Sequence, residues 1–77
     1  MTIAQLEQGQ QATIKGFLGD ELPIKLMEMG CLPGSQVELV QVAPLKDPMH
    51  INVDGTQMAI RRATAAEIEI ENILPLQ

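Results

Sequence analysis

Cys31 and His50 are the one cysteine and the one histidine of this 77-residue chain, and they are its only soft or borderline metal ligands. A structural zinc site takes four ligands, commonly in close pairs such as C-x2-C, and no such pair occurs. Asp47 stands near His50, which outlines at most a weak two-ligand surface site. The same residues do no better as catalysts. His50 has no Ser or Cys partner at a recognisable motif, and no carboxylate pair is placed for acid–base work. Neither G-x-x-x-x-G-K-[ST] nor G-x-G-x-x-G is present, so no ready phosphate cradle exists. The sequence therefore predicts no catalytic residue, no cofactor and no metal ligand set. Asp47 is expected to begin a turn ahead of Pro48, His50 to be a solvated strand residue, and Cys31 to be a small apolar side chain beside a helix end.

What remains is surface chemistry. Met27, Met29, Leu32 and Met49, with Leu22, Ile24 and Leu26, are more apolar side chains than one face of a three-turn helix can bury. Most should be core, as an amphipathic stripe usually is. The rest, drawn from Ile24, Met27 or Leu32, would form a contact patch, a use that suits flexible methionines. Arg61 and Arg62 are the one adjacent basic pair. They either flank a hairpin, with Arg62 opposite Asp47 in a surface ion pair of little worth, or form a polar rim beside the patch. The candidate partner-binding set is thus Ile24, Met27, Met29, Leu32, Arg61 and Arg62.

The partner classes narrow by composition. Phe17 is the sole aromatic residue, which removes the aromatic-lined grooves that grip Pro-rich peptides and the rings on which single-stranded bases stack. Ten acidic residues against five basic ones leave a formal charge of −5. Nucleic acid is disfavoured, because Lys and Arg supply most of the affinity for phosphates. An anionic membrane surface is disfavoured for the same reason.

The elements that must position these residues are short. Gln11 to Phe17 alternates as a half-buried strand with Ala12 and Ile14 on one side, and Gly16 suggests a bend or bulge. A helix of about ten residues should follow, with Asp20 as N-cap and Pro23 inside its first turn. Leu22, Leu26 and Met29 would line one face of it. Gly30 would close it in a left-handed conformation. Pro33-Gly34 fits a type II turn leading into a strand from about Gln36 to Val42. Pro44 to Pro48 is a loop stiffened at both ends. With Asp54-Gly55 as a two-residue turn, Val53 pairs with Thr56, Ile51 with Met58 and Met49 with Ile60, all six on one face. A Thr64-initiated turn then precedes a last strand, about Glu67 to Ile73, with Glu67, Glu69 and Glu71 on its wet side. Five short strands and one small helix after the first predict a mainly β fold, a small closed barrel of SH3-like or OB-like size.

Length bounds the rest. Residues 1–77 form one domain, and a chain this short buries only about 60% of its unfolded surface. A lone cysteine points to a reducing compartment. Met1 to Gln11 has no basic start and no apolar run of a secretory signal, and no stretch approaches the roughly 20 apolar residues of a membrane span. A cytoplasmic protein without membrane insertion is expected.

Taken in order, L-x-x-G-x-x-A-x-I-x-G from Leu6 to Gly16, L-M-E-M-G-C-L-P-G from Leu26 to Gly34, V-A-P-L-K-D-P from Val42 to Pro48, I-R-R from Ile60 to Arg62 and the closing I-E-I near Ile70 resemble the FeoA family. These are small cytoplasmic proteins of bacterial ferrous-iron uptake, and the resemblance runs over nearly the whole chain. It implies an SH3-like barrel with a helix inserted after the first strand. It also implies a partner, the ferrous-iron permease FeoB, whose cytosolic part carries a G-protein domain. The expected function is non-enzymatic assistance or regulation of that permease. The alternative is a metal-sensing or metal-carrying domain using His50, Cys31 and nearby acids. Self-association through the hairpin or the last strand is compatible with either.

Overall fold

The computed structural model describes residues 1–19 and 23–75. Strand β1 runs Gln11–Phe17, helix α1 Ile24–Glu28, β2 Gln36–Val42, β3 Met49–Val53, β4 Thr56–Ile60, α2 Arg62–Ala65 and β5 Ile68–Leu74. The strands form one antiparallel sheet in the order β4-β3-β2-β1-β5, a mainly β, five-stranded SH3-like barrel with a short helix after the first strand. No helix among the described residues is long and apolar enough to cross a membrane.

Alternation decides which side chains go inward. Ala12 and Ile14 of β1, Val37 and Leu39 of β2, Met49, Ile51 and Val53 of β3, Met58 and Ile60 of β4, and Ile68 and Ile70 of β5 are all buried. The hairpin adopts the expected register, pairing Val53 with Thr56, Ile51 with Met58 and Met49 with Ile60. Its turn residues Asp54 and Gly55 both have positive φ, 49° and 94°, the requirement of a twist-matched two-residue turn. Thr56 alone of the six stays exposed, since it sits beside the turn at the hairpin's tip. Gly16 stands where the β1–β5 register shifts, as its position near the strand end suggested. The charged face of β5 is also as expected: Lys15 Nζ lies 3.1 Å from Glu69 Oε1.

Three expectations are corrected and one element is added. Helix α1 has five residues rather than ten, and its N-cap is Pro23; the proposed cap Asp20 and the face residue Leu22 lie outside the described residues. The Thr64 turn is part of α2. The hydrogen-bond ladder does not close on itself, because β4 and β5 are the two ends of the sheet order. The N-terminus partly covers the β5 edge instead: Thr2 bridges Glu69, and Ile70 N donates to Met1 O at 2.8 Å. Finally, Ile3–Gln5 forms a single 3-10 turn that the sequence reading left unassigned. It drops the fully buried Ile3 into the core, with Leu6 behind it. Three residues carry too little periodicity to announce such a plug.

Candidate docking surface

The segment from α1 to the Pro33-Gly34 turn hangs from the barrel by its far end. Cys31 is fully buried, its Sγ 3.5 Å from Met58 Sδ, and burial pushes its thiol pKa up. Cys31 N donates to Leu26 O at 2.9 Å, Ser35 Oγ to Gly30 O at 3.0 Å, and Gly34 N to Ile14 O at 2.8 Å. Gly30 has φ +105° and Gly34 +95°, so both chain reversals occupy backbone conformations that glycine adopts at little cost. Ser35 N donates to Leu32 O at 2.9 Å, closing the Pro33-Gly34 turn as expected.

The helix itself buries nothing completely. Leu26 packs against the core only in part, and Met27 is half-buried. Ile24 is 63% exposed, Met29 46% and Leu32 43%. Ile24 and Leu32 are thus exposed as the patch reading expected, Met49 is core, and Met29 is outside where burial was expected. Five residues make too short a helix to turn a whole apolar stripe inward, and the core is filled by the strands with Ile3, Leu6, Cys31 and Ala65. Three of the four apolar candidates therefore face solvent on one short segment. Isolated exposed leucines are ordinary, whereas three large apolar side chains are exposed within nine residues of this segment.

The two arginines separate. Arg61 is exposed and is the N-cap residue of α2. Arg62 is tied down: its Nε donates to Lys46 O at 2.9 Å and its Nη1 to Ala4 O at 2.9 Å. Its backbone N donates to Asp47 Oδ1 at 3.0 Å. Asp47 does meet Arg62, as expected, but through the main chain and not as an ion pair. The guanidinium fork instead staples the β2–β3 loop to the N-terminal turn. Arg62 is thus engaged within the chain, while Arg61 is exposed.

Cys31 and His50 are not brought together. Cys31 points into the core, whereas His50 is exposed on β3, opposite Gln41 and Ala59. Among the described residues no group of three His, Cys, Asp or Glu side chains converges. A shallow cleft of about 210 Å³ at the hairpin end is lined by Gln11, Gln36, Val37, Glu38, Asn52, Asp54 and Gly55. Two of its polar atoms are already used locally: Asp54 Oδ1 accepts from Gln36 N, and Asn52 Oδ1 from Gly55 N. The sequence reading missed Leu45, which the β2–β3 loop leaves 90% exposed. The available signal was an apolar residue inside a proline-bracketed loop.

Comparison with known proteins agrees with this geometry. A family model described as the FeoA domain matches residues 1–72. A fusion protein of Porphyromonas gingivalis, joining Fe(2+) transport protein A to the Fe(2+) transporter FeoB, is 36% identical over 74 residues. That match takes in 95% of this chain but 9% of the relative, so the chain spans a small part of that protein's length. The solution structure of iron(II) transport protein A from Clostridium thermocellum superimposes with TM-score 0.84 at 39% identity, covering 92% of this chain and 44% of that one. The zinc-complexed crystal structure of Stenotrophomonas maltophilia FeoA, described as a procaryotic SH3 domain protein, superimposes with TM-score 0.79 at 22% identity. It covers 92% of this chain and 89% of that one, and at that identity the likeness speaks to the fold.

Proposed function

The chain belongs to the FeoA family, and from that premise we propose that it is a non-enzymatic accessory and regulatory protein of bacterial ferrous-iron uptake. It acts in the cytoplasm by docking on the cytosolic, G-protein-bearing part of a FeoB-type permease. One observation carries this reading: in the Porphyromonas relative, a domain 36% identical to this chain is covalently joined to the transporter. Two modules that work as one unit are often found both fused and separate, because tethering only raises their effective concentration.

Ile24, Met29 and Leu32, exposed on the α1 segment, supply the apolar part of the contact with the half-buried Met27, and the exposed Arg61 supplies a polar part. An apolar core with a polar, Arg-containing rim is the usual anatomy of a transient interface. The test is a binding measurement with the purified cytosolic part of the permease, in nucleotide-free, GDP and GTP states. Wild type should bind in at least one state, and the Ile24→Ser, Met29→Ser, Leu32→Ser triple variant should lose most of that affinity while keeping its fold. Absence of wild-type binding in every state would remove the reading.

A further inference from the structure

Leu45 is the most exposed large apolar side chain among the described residues, yet the loop that carries it is closely braced. Lys46 N donates to Ala43 O at 2.7 Å and Ala43 N to Pro48 O at 3.2 Å, so the loop is closed by its own backbone. Arg62 then reaches across from α2, its Nε on Lys46 O and its backbone N on Asp47 Oδ1. The Lys46 carbonyl and the Asp47 carboxylate, both just after Leu45, are thus held. Lys46 sits at φ +67°, a conformation unusual for a residue with a side chain. So much bracing around a leucine that packs on nothing orders the side chain's base without burying its end. Presenting an apolar group already ordered lowers the entropic cost of inserting it elsewhere.

Charge indicates what receives it. Of the five basic residues, Lys15 is bonded to Glu69 and Arg62 to backbone carbonyls. Lys46 follows Leu45 directly, and Arg61 precedes the residue that braces the loop. Neither side chain has a hydrogen-bond or ion-pair partner among the described residues. One free cation, Lys46, thus adjoins the apolar tip, and a second, Arg61, is next in sequence to the residue that braces the loop, on a chain of net charge −5. A second copy offers poor accommodation, since its hairpin-end cleft is lined mainly by amides and carboxylates.

We propose that Leu45 is a second anchor, inserting into an apolar socket with an acidic rim on the cytosolic part of the FeoB-type permease. The inference rests on the docking function proposed above and adds a residue outside the α1 segment. Its test compares wild type, Leu45→Asp, Leu45→Met and Lys46→Glu for affinity to the purified cytosolic part, with melting temperature and sedimentation of each. Leu45→Asp should weaken binding about tenfold or more, in the range of interface anchors, with an unchanged melting temperature. Lys46→Glu should weaken it less and make the loss depend on salt, and Leu45→Met should bind nearly as wild type. Wild-type binding that Leu45→Asp leaves intact overturns the anchor and spares the docking function; no wild-type binding overturns both. Wild-type self-association abolished by Leu45→Asp would make a second copy the occupant and overturn the proposal as stated.

Discussion

Two surface segments of this barrel expose apolar side chains, and they are held in different ways. The stretch from Ile24 to Gly34 is secured by burial: Cys31 is its root in the core, and two positive-φ glycines turn the chain around it. The stretch from Ala43 to Pro48 has no root. It is secured from outside by Arg62, whose guanidinium and backbone N satisfy the loop's carbonyl and carboxylate. The difference teaches that a small domain can fix a surface either by packing or by polar bracing. The first suits a broad patch, because several residues share one buried support. The second suits a single projecting side chain, because hydrogen bonds position a few atoms accurately.

If bracing by Arg62 is as structural as the geometry indicates, removing it should produce the largest effect. Arg62→Ala should cost about 2 kcal/mol in urea unfolding, since hydrogen bonds to charged groups contribute roughly 1.5–3 kcal/mol. Arg61→Ala, its exposed neighbour, should stay within about 0.5 kcal/mol. Equal effects of the two substitutions would erase the distinction between them.

The other segment should respond to its root. Cys31→Ser places a hydroxyl in a fully buried site and should destabilise by about 1–2 kcal/mol, the range for burying a poorly paired polar group. The native thiol should meanwhile react with an alkylating reagent only as fast as the protein opens. Rapid stoichiometric alkylation in native buffer would show that the segment is not anchored by Cys31. Gly30→Ala meets no neighbouring atom within 4 Å, so its cost should come from the φ of +105° alone, about 1 kcal/mol. A neutral result would mean that the reversal can relax without strain.

The smallest effect concerns pH. Burial raises the Cys31 pKa above its ordinary value of 9.0, so the unfolded thiol ionises first as pH rises. The unfolded state then binds fewer protons than the native state, and stability must fall with pH from about that value upward. The contribution is complete below the unfolded pKa and disappears as pH passes the folded one. Cys31→Ala should flatten this part of the stability profile. An unchanged slope above pH 9 would assign it to other groups.

Legibility followed the density of local rules. The Asp54-Gly55 hairpin could be read residue by residue, because a two-residue turn sets the register and the register sets the face. Strands β1 and β2 could be read from alternation and from the Pro33-Gly34 turn. Helix α1 was read as too long and too buried, since Leu22, Leu26 and Met29 have helical spacing but spacing cannot say how much core is left to fill. Of the candidate docking residues, Ile24 and Leu32 are exposed as read, while Met29 was placed on the buried face and is exposed. Leu45 and the structural role of Arg62 went unseen, because each depends on contacts across the chain: Arg62 reaches Ala4 and Lys46, far away in sequence.

Local chemistry alone settled where this polypeptide turns, which residues alternate, and that its ionisable side chains lack the spacing of a catalytic or zinc-binding motif. Tertiary packing settled which apolar groups were left outside once the interior was full, and which of two neighbouring arginines was consumed in holding the loop. The reason is physical: turn and strand preferences act between near neighbours, whereas exposure is what remains after distant segments have competed for a limited interior volume.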